Sequence, residues 1–583
     1  MDLPGLLRSW SEHWSLRLMA LGVVVGVLAG VVVVLFRIAI AVAADWFTLG
    51  EGFAGLPAWG RLLLPAAGGL AVGLLAWYVF PRDADVGVSR VLEQVAYGAS
   101  HLGAKGAVAQ FLFGVLAIGS GHSVGREGPS LHMGAAIGSL VGQRFGVDPA
   151  HLRVLVAAGA AGAFAGALDI PLAGVVFALE VILGEYTLVL FAPVVVAAVI
   201  ATVVTQVAIG PELVLAVPDL PVHSFWYLPL DWVIGFGAAL VSYLLLRGVE
   251  GVHRLGQWAP LPEWALPAVG GLGVGILAMG TPDIMGVSYG ALNEIFTDGR
   301  PLLALLALLA AKLVATAISV GTQSRGGAIG PALFMGALVG AVVAEAARLA
   351  GVPLGETGIY AVIGMAAGMA AILNAPFVAI VAVFELTRNP AVILPVMLAT
   401  VTAAVTSRDW FRAQSIFAWT LHLRELSEPT LPESGQKCTV PVQQIMHEAF
   451  DTLPPRVDEE ELRRAQSDSG IQSVFPVVEE GHLVGLMDLT GLLRAGMATP
   501  DEEDGRVDLT PYLVEAENLR NLYPGDGAVK AMDLMASYGL EGFPVRSPRD
   551  TGVVIGLVTR VDVIEACLTD RGEEEDGPAE AGR

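Results

Sequence analysis

The segment Pro129-Ser-Leu-His-Met-Gly-Ala-Ala-Ile-Gly138 returns 202 residues later as Pro331-Ala-Leu-Phe-Met-Gly-Ala-Leu-Val-Gly340. A second segment, Asp169-Ile-Pro-Leu-Ala-Gly-Val-Val-Phe-Ala-Leu-Glu180, returns 205 residues later as Asn374-Ala-Pro-Phe-Val-Ala-Ile-Val-Ala-Val-Phe-Glu385. Two matched pairs at nearly one offset require two similar halves. With 54% hydrophobic and 15% charged residues over a length of 583, and a mean hydropathy of +0.65, the chain is too apolar for a soluble enzyme of this size. The spacing therefore predicts a polytopic, all-α membrane domain of two repeated halves. We expect the halves to be inverted about a pseudo-two-fold, with broken helix ends meeting at a midplane site.

Apolar runs at Leu16 to Phe36, Leu62 to Phe80, Leu188 to Val207, Trp232 to Leu246, Leu302 to Val320 and Ile393 to Val405 approach or reach the length of a membrane span. Those at Val108 to Ile118, Val154 to Ala167 and Ala375 to Phe384 are too short to cross alone, which predicts broken helices buried in protein. Met1 to Ser15 carries Asp2, Glu12 and two tryptophans, so it reads as a cytoplasmic start to a multi-pass protein of an inner or plasma membrane rather than as a cleaved leader.

Composition changes at residues 426–437, Leu-Ser-Glu-Pro-Thr-Leu-Pro-Glu-Ser-Gly-Gln-Lys, a polar linker. It separates a membrane domain, 1–425, from a cytosolic α/β domain, 438–570, and an acidic tail, 571–583, reads as disordered. Most of the net charge of -23 lies in this C-terminal part, which argues against nucleic acid as a partner. The α/β part repeats too: Ile471-Gln-Ser-Val-Phe-Pro-Val-Val478 with Leu483 to Asp488 resembles Leu540-Glu-Gly-Phe-Pro-Val545 with Val554 to Thr559. Its units are about 438–497 and 508–570, each with a helix, two Val-rich strands and a further helix. Cys438 and Cys567, the two cysteines, suffice for neither a disulfide framework nor a metal cage.

The residues that carry chemistry lie in Gly125-Arg-Glu-Gly-Pro129, with its counterpart Gly326-Gly-Ala-Ile-Gly-Pro331 in the second half. A charge inside a bilayer costs about 3 kcal/mol on insertion scales, so Arg126-Glu127 marks a functional site. Glycines let a backbone approach an ion, proline in the first helical turn loses no useful donor, and helix N-termini offer partial positive charge. That combination suits an anion. A carboxylate at such a terminus mimics a bound anion until it is protonated; the other reading pairs Glu127 with Arg126, although adjacent helical residues do not face each other.

These two motifs, with the two Pro-x8-Glu segments ending at Glu180 and Glu385, resemble the chloride channel/transporter (CLC) family over residues of roughly 15 to 425. The α/β part is similar to the CBS-domain pair that many members carry. The resemblance implies a homodimer in lipid that moves chloride or another small anion, one pathway per subunit, with Glu127 as the gate. It places anion-binding positions at Val86, Gly87, Val88, Arg126, Gly128, Ala328, Ile329 and Phe417, with Arg126 also serving as a donor to backbone carbonyls.

The chain departs from the family pattern at three of these places. Val86 stands where a coordinating hydroxyl is usual, leaving the N–H groups of Gly87 and Val88 to carry that end. Phe417 aligns with a coordinating tyrosine and offers a weakly positive ring edge, or serves only as packing. Proton-coupled members carry a glutamate at the internal proton-site position occupied here by Val181, which favours a passive channel; proton/chloride antiport is the alternative. Glu180 and Glu385 read as helix-end residues, and Arg325 repeats the role of Arg126 or lies at a surface.

His122 and His132 flank the gate, either packing on hydrogen bonds or titrating near neutral pH. Similar CBS pairs bind an adenine nucleotide, and here Thr559 and Asp562 offer a hydroxyl and a carboxylate, while Asp488 and Gly491 replace them in the first unit. The pair is otherwise a ligand-free dimerisation module. No cofactor is required. Ser123 beside His122 raises an intramembrane hydrolase, but neighbouring residues have poor nucleophile–base geometry, so the chain does not read as an enzyme.

Overall fold

The computed structural model describes residues 14–81, 86–96, 100–147, 149–184, 188–210, 227–297, 299–422, 440–458, 460–461, 463, 474–488, 506–516, 519–548, 550, 552–564 and 566. The linker 426–437, Cys438, Cys567, Gly491 and the tail 571–583 lie outside them. The chain divides into two compact units, Met1–Pro429 and Thr430–Arg583.

Among the described residues, the first unit is built of helices and the loops that join them. Its first half contains α1 (Trp14–Thr48), α2 (Ala58–Leu74), α3 (Val88–Ala96), α4 (Ala104–Gly119), α5 (Glu127–Arg144), α6 (Pro149–Leu168), α7 (Pro171–Phe177, continued by a π-turn Ala178–Leu183) and α8 (Leu188–Ile209). The second half repeats the order with α9 (Leu228–Trp258), α10 (Leu266–Gly280), α11 (Tyr289–Thr297), α12 (Leu302–Gly321), α13 (Ile329–Leu349), α14 (Thr357–Leu373), α15 (Pro376–Thr387) and α16 (Ile393–Val405), and α17 (Ile416–His422) follows. Among the described residues, eight helices are long and apolar enough to cross a membrane.

Two spans differ from expectation. The Val154 to Ala167 run lies within α6, a helix of 20 residues, so its flanks supply the length that the apolar core lacks. The Ile393 to Val405 run forms a helix of only 13 residues, because a π-turn, Thr406–Trp410, carrying Arg408 and Asp409, ends it.

Glycines set how closely the halves and their helices pack. A Cβ at Gly134 of α5 would lie 2.2 Å from the Gly159 carbonyl oxygen of α6, and one at Gly336 of α13 would lie 2.2 Å from that of Gly364 in α14. The same helix crossing is thus built twice. Across the halves, Gly69 of α2 faces the Pro267 carbonyl and Gly271 of α10 faces the Pro65 carbonyl. The exchange of equivalent partners is what a pseudo-two-fold between inverted repeats produces.

In the second unit, β2 (Val474–Glu479) pairs antiparallel with β3 (His482–Asp488), which pairs with β5 (Val514–Glu515); β1 (Arg456–Val457) pairs with β4 (Val507–Asp508). Helix α18 (Ala528–Tyr538) precedes β6 (Gly542–Arg546) and β7 (Val554–Thr559), a second antiparallel pair. The repeats interleave rather than close on their sequence boundaries. Pro441 bridges to Gly527 and His447 to Leu557, so the start of the first repeat completes the second, while β5 completes the first sheet.

Candidate functional site

The loops before α5 and α13 meet at the centre of the first unit. Gly125 and Gly327 form an antiparallel bridge, with Gly125 N donating to Gly327 O at 2.6 Å and Gly327 N to Gly125 O at 2.9 Å. Close approach requires glycine: a Cβ on Gly128 would lie 3.1 Å from Gly327 Cα, and beyond it 3.9 Å from Val88 Cγ2. This contact sets the two helix N-termini side by side. Arg126 is the N-cap of α5 and Ala328 the N-cap of α13.

Glu127, the first residue of α5, is fully buried. Its Oε2 accepts a hydrogen bond from Gly330 N of α13 at 3.1 Å. The carboxylate therefore sits on the N-terminus of the other half's helix, where unsatisfied N–H groups and the helix dipole favour negative charge. Its Oε1 accepts a hydrogen bond from the Tyr289 hydroxyl. Arg126 does not pair with Glu127: it donates to Ala167 O at 3.2 Å and places its guanidinium 5.2 Å from the centre of the Tyr289 ring.

The other sequence-predicted positions fall into two apolar neighbourhoods. Val88, Ala328, Ile329 and Phe417 are buried in one cluster, while Val86 packs in another with Phe36, Phe113, Val124 and Met133. Phe417 presents its ring to Phe177 edge to face at 6.4 Å. Gly87 adopts φ +105° and its carbonyl accepts from His132 Nδ1 at 3.1 Å. The hydroxyls near this end belong to Ser89 of α3 and Thr420 of α17, which share a hydrogen bond.

Val181 lies in the π-turn after α7, partly buried against the main core. The glutamates of the Pro-x8-Glu segments cap each other's helices. Glu180 accepts from Phe377 N and Val378 N at 3.2 and 2.8 Å, and Glu385 accepts from Leu172 N and Ala173 N at 2.9 and 2.8 Å. His122 is held on Pro65 O at 2.9 Å, and Ser123 Oγ bonds Thr316 Oγ1 at 2.9 Å, so no Ser–His pair forms. The Arg325 carbonyl accepts from Gln110 at 2.9 Å, and its guanidinium donates to Gln323.

Two residues of this centre escaped the sequence reading. Tyr289 opens α11, and Lys312 of α12, fully buried, holds the loop before it. One signal points to Tyr289: Gly87-Val-Ser89, at the first predicted anion segment, recurs as Gly286-Val-Ser288, and both glycines have positive φ. The repeat mate of the anion segment thus leads directly into Tyr289.

In the second unit, Asp562 Oδ2 accepts from Thr559 N and Oγ1 at 2.8 and 2.6 Å, and Oδ1 from His447 Nε2 at 3.0 Å. Thr559 and Asp562 are together, joined by a histidine from the start of the domain. Asp488 ends β3.

Comparison with known proteins follows this geometry. The family model described as voltage gated chloride channel matches residues 68–408, and that of the CBS domain matches residues 516–569. A putative chloride channel protein, ClcB-like, of Ralstonia nicotianae is 34% identical over 361 residues, covering 60% of this chain and 83% of that protein. A eukaryotic CLC transporter superposes with a TM-score of 0.71 at 20% identity, covering 94% of this chain and 98% of its own. A slow cyanobacterial Cl-/H+ antiporter does so with a TM-score of 0.64 at 22% identity, covering 70% and 98%. Both solved structures share the fold.

Proposed function

The chain belongs to the voltage gated chloride channel (CLC) family, and from that premise we propose that it moves chloride across a membrane as a passive channel, one pathway per subunit, gated by Glu127. The observation that carries this reading is the seat of the Glu127 carboxylate on Gly330 N–H. A tethered anion occupies a helix N-terminus suited to a free one, so removing its charge or displacing it with chloride opens the place it fills. Gly87, Val88, Gly128, Ala328 and Ile329 supply backbone to the pathway, Val86 and Phe417 line it without a hydroxyl, and Arg126 adds positive potential.

Passive conduction is favoured by Val181, which carries no proton, and by Glu180, whose two oxygens are engaged at the N-terminus of α15. The second reading, proton/chloride antiport, draws on the shared fold of the cyanobacterial antiporter. Under either reading the protein is a homodimer in an inner or plasma membrane, with its N-terminus and CBS pair cytoplasmic. The CBS pair regulates transport through an adenine nucleotide at Thr559 and Asp562.

Reconstitution into liposomes separates the readings. A channel dissipates a chloride gradient without moving protons; uphill chloride movement driven by a proton gradient would establish the antiporter instead. Glu127→Gln gives anion flux that no longer varies between pH 4.5 and 7.5, and flux that stays pH-gated in this variant would remove Glu127 as the gate.

A further inference from the structure

We propose that Tyr289 is the latch of the gate: its hydroxyl holds Glu127 in the closed position, and Lys312 fixes the loop that presents it. The inference rests on the reading of Glu127 as the gate. The carboxylate has two anchors, Gly330 N–H on Oε2 and the Tyr289 hydroxyl on Oε1. The first belongs to the pathway itself, because any anion at the terminus of α13 would use it. The second comes from α11, whose counterpart α3 carries Gly87 and Val88 at its start. One half of the repeat thus contributes backbone to an anion, and the other a hydroxyl to the group that blocks it.

The hydroxyl is held in place from below and from the side. Lys312 Nζ donates to Ile284 O at 3.0 Å and to Ser288 Oγ at 2.9 Å, with Gly286 O at 3.4 Å, and lies 5.3 Å from the centre of the Phe334 ring of α13. The loop from residue 284 to 288 is therefore tied to α12, and Gly286 and Ser288 both take positive φ to make its turn. Arg126 covers the phenol ring. A buried lysine bonded mainly to backbone carbonyls of a single loop serves to shape that loop.

A hydroxyl donating to a carboxylate favours its ionised form, and a hydrogen bond to a charged group is about twice as strong as a neutral one. The charged groups acting on Tyr289 besides Glu127 are Arg126, over its ring, and Arg37 of α1, while Lys312 is engaged with the loop before it. The neighbouring imidazoles of His122 and His132 are each held on a carbonyl. All of these cations remain when Tyr289 becomes phenylalanine, so that substitution isolates the hydroxyl.

The test is chloride efflux from liposomes holding the full-length protein, from pH 4.5 to 8, for wild type, Tyr289→Phe, Glu127→Gln and the double variant. Tyr289→Phe raises flux at pH 7.5 by about tenfold and moves the pH profile about one unit higher. In the Glu127→Gln background the same change has no further effect. If Glu127→Gln abolishes pH gating while Tyr289→Phe keeps the wild-type profile, the latch is wrong and the gate stands. If Glu127→Gln itself keeps wild-type gating, the gate fails and the latch with it. Flux lowered equally at every pH in both backgrounds would assign Tyr289 a purely structural part and overturn the proposal.

Discussion

At the scale of single residues, the site combines strong backbone donors with few side-chain donors. On the proposed reading, helix N-termini give the anion partial charge, and Val86 and Phe417 bring no hydroxyl to it. Phe417→Tyr adds a phenol on a buried face of α17, and it should strengthen chloride binding about tenfold, the size of one hydrogen bond to an ion. Isothermal titration of chloride into detergent-solubilised protein checks this; unchanged affinity would mark Phe417 as packing against Phe177. Glu127 was legible in the sequence because a carboxylate among glycines and apolar runs has few structural uses. What could not be read were its partners, since Oε2 reaches Gly330, 203 positions away, and Oε1 reaches Tyr289, 162 positions away. Tyr289 was hidden for a related reason. A tyrosine at a helix start has no distinctive chemistry until the fold turns it toward a carboxylate, and only the repeated Gly-Val-Ser preceding it carried a trace.

At the scale of elements, the repeat works because the same contacts are made twice. Gly336 of α13 and Gly364 of α14 each face the other's carbonyl at 2.2 Å from where a Cβ would stand. Backbone lines both sides of that crossing, so nothing flexible can yield. Gly364→Ala should cost about 3 kcal/mol, visible as a lower melting temperature, whereas Gly251→Ala in α9, with nothing within 4 Å of its Cβ position, should be neutral or slightly stabilising. The reciprocal glutamates make a second element-scale test. Glu385→Gln replaces a carboxylate that accepts two first-turn N–H groups of α7, and it should lower stability by about 1 kcal/mol. Thermal unfolding measures that loss, and pH gating of flux should survive it, because this cap is separate from the bonds that seat Glu127. The sequence showed the matched glutamates and suggested helix ends, but not that each end belonged to the other half. Sequence offset fixes equivalence between segments, while contact across a two-fold needs the fold itself. Helix lengths were less legible, as α6 and α16 show, because polar flanks and π-turns move an end without changing the apolar run.

At the scale of the whole molecule, the two units have separate cores. The membrane unit is built around buried alanine, glycine and branched residues at helix crossings, and the second unit around Phe543, Val545, Val558, Leu540 and Met535. From a change of composition alone the sequence suggests a polar linker at 426–437, because lipid and water select different residues. It did not foresee the exchange of segments between the CBS repeats. There Pro441 and His447 pair with the second repeat, through backbone bonds that leave no side-chain pattern. Separate cores make separable stabilities. Phe543 is fully buried, and Phe543→Ala should cost the second unit about 3 to 5 kcal/mol, a large part of the stability of a domain. Among the described residues the membrane unit has its own core. Calorimetry of the full-length variant should therefore show a transition moved to lower temperature while another stays in place, and chloride efflux should keep its Glu127-dependent pH profile. A variant that loses the pH profile along with the transition would mean that the gate needs the second unit intact, and that Glu127 does not respond to pH through the membrane unit alone.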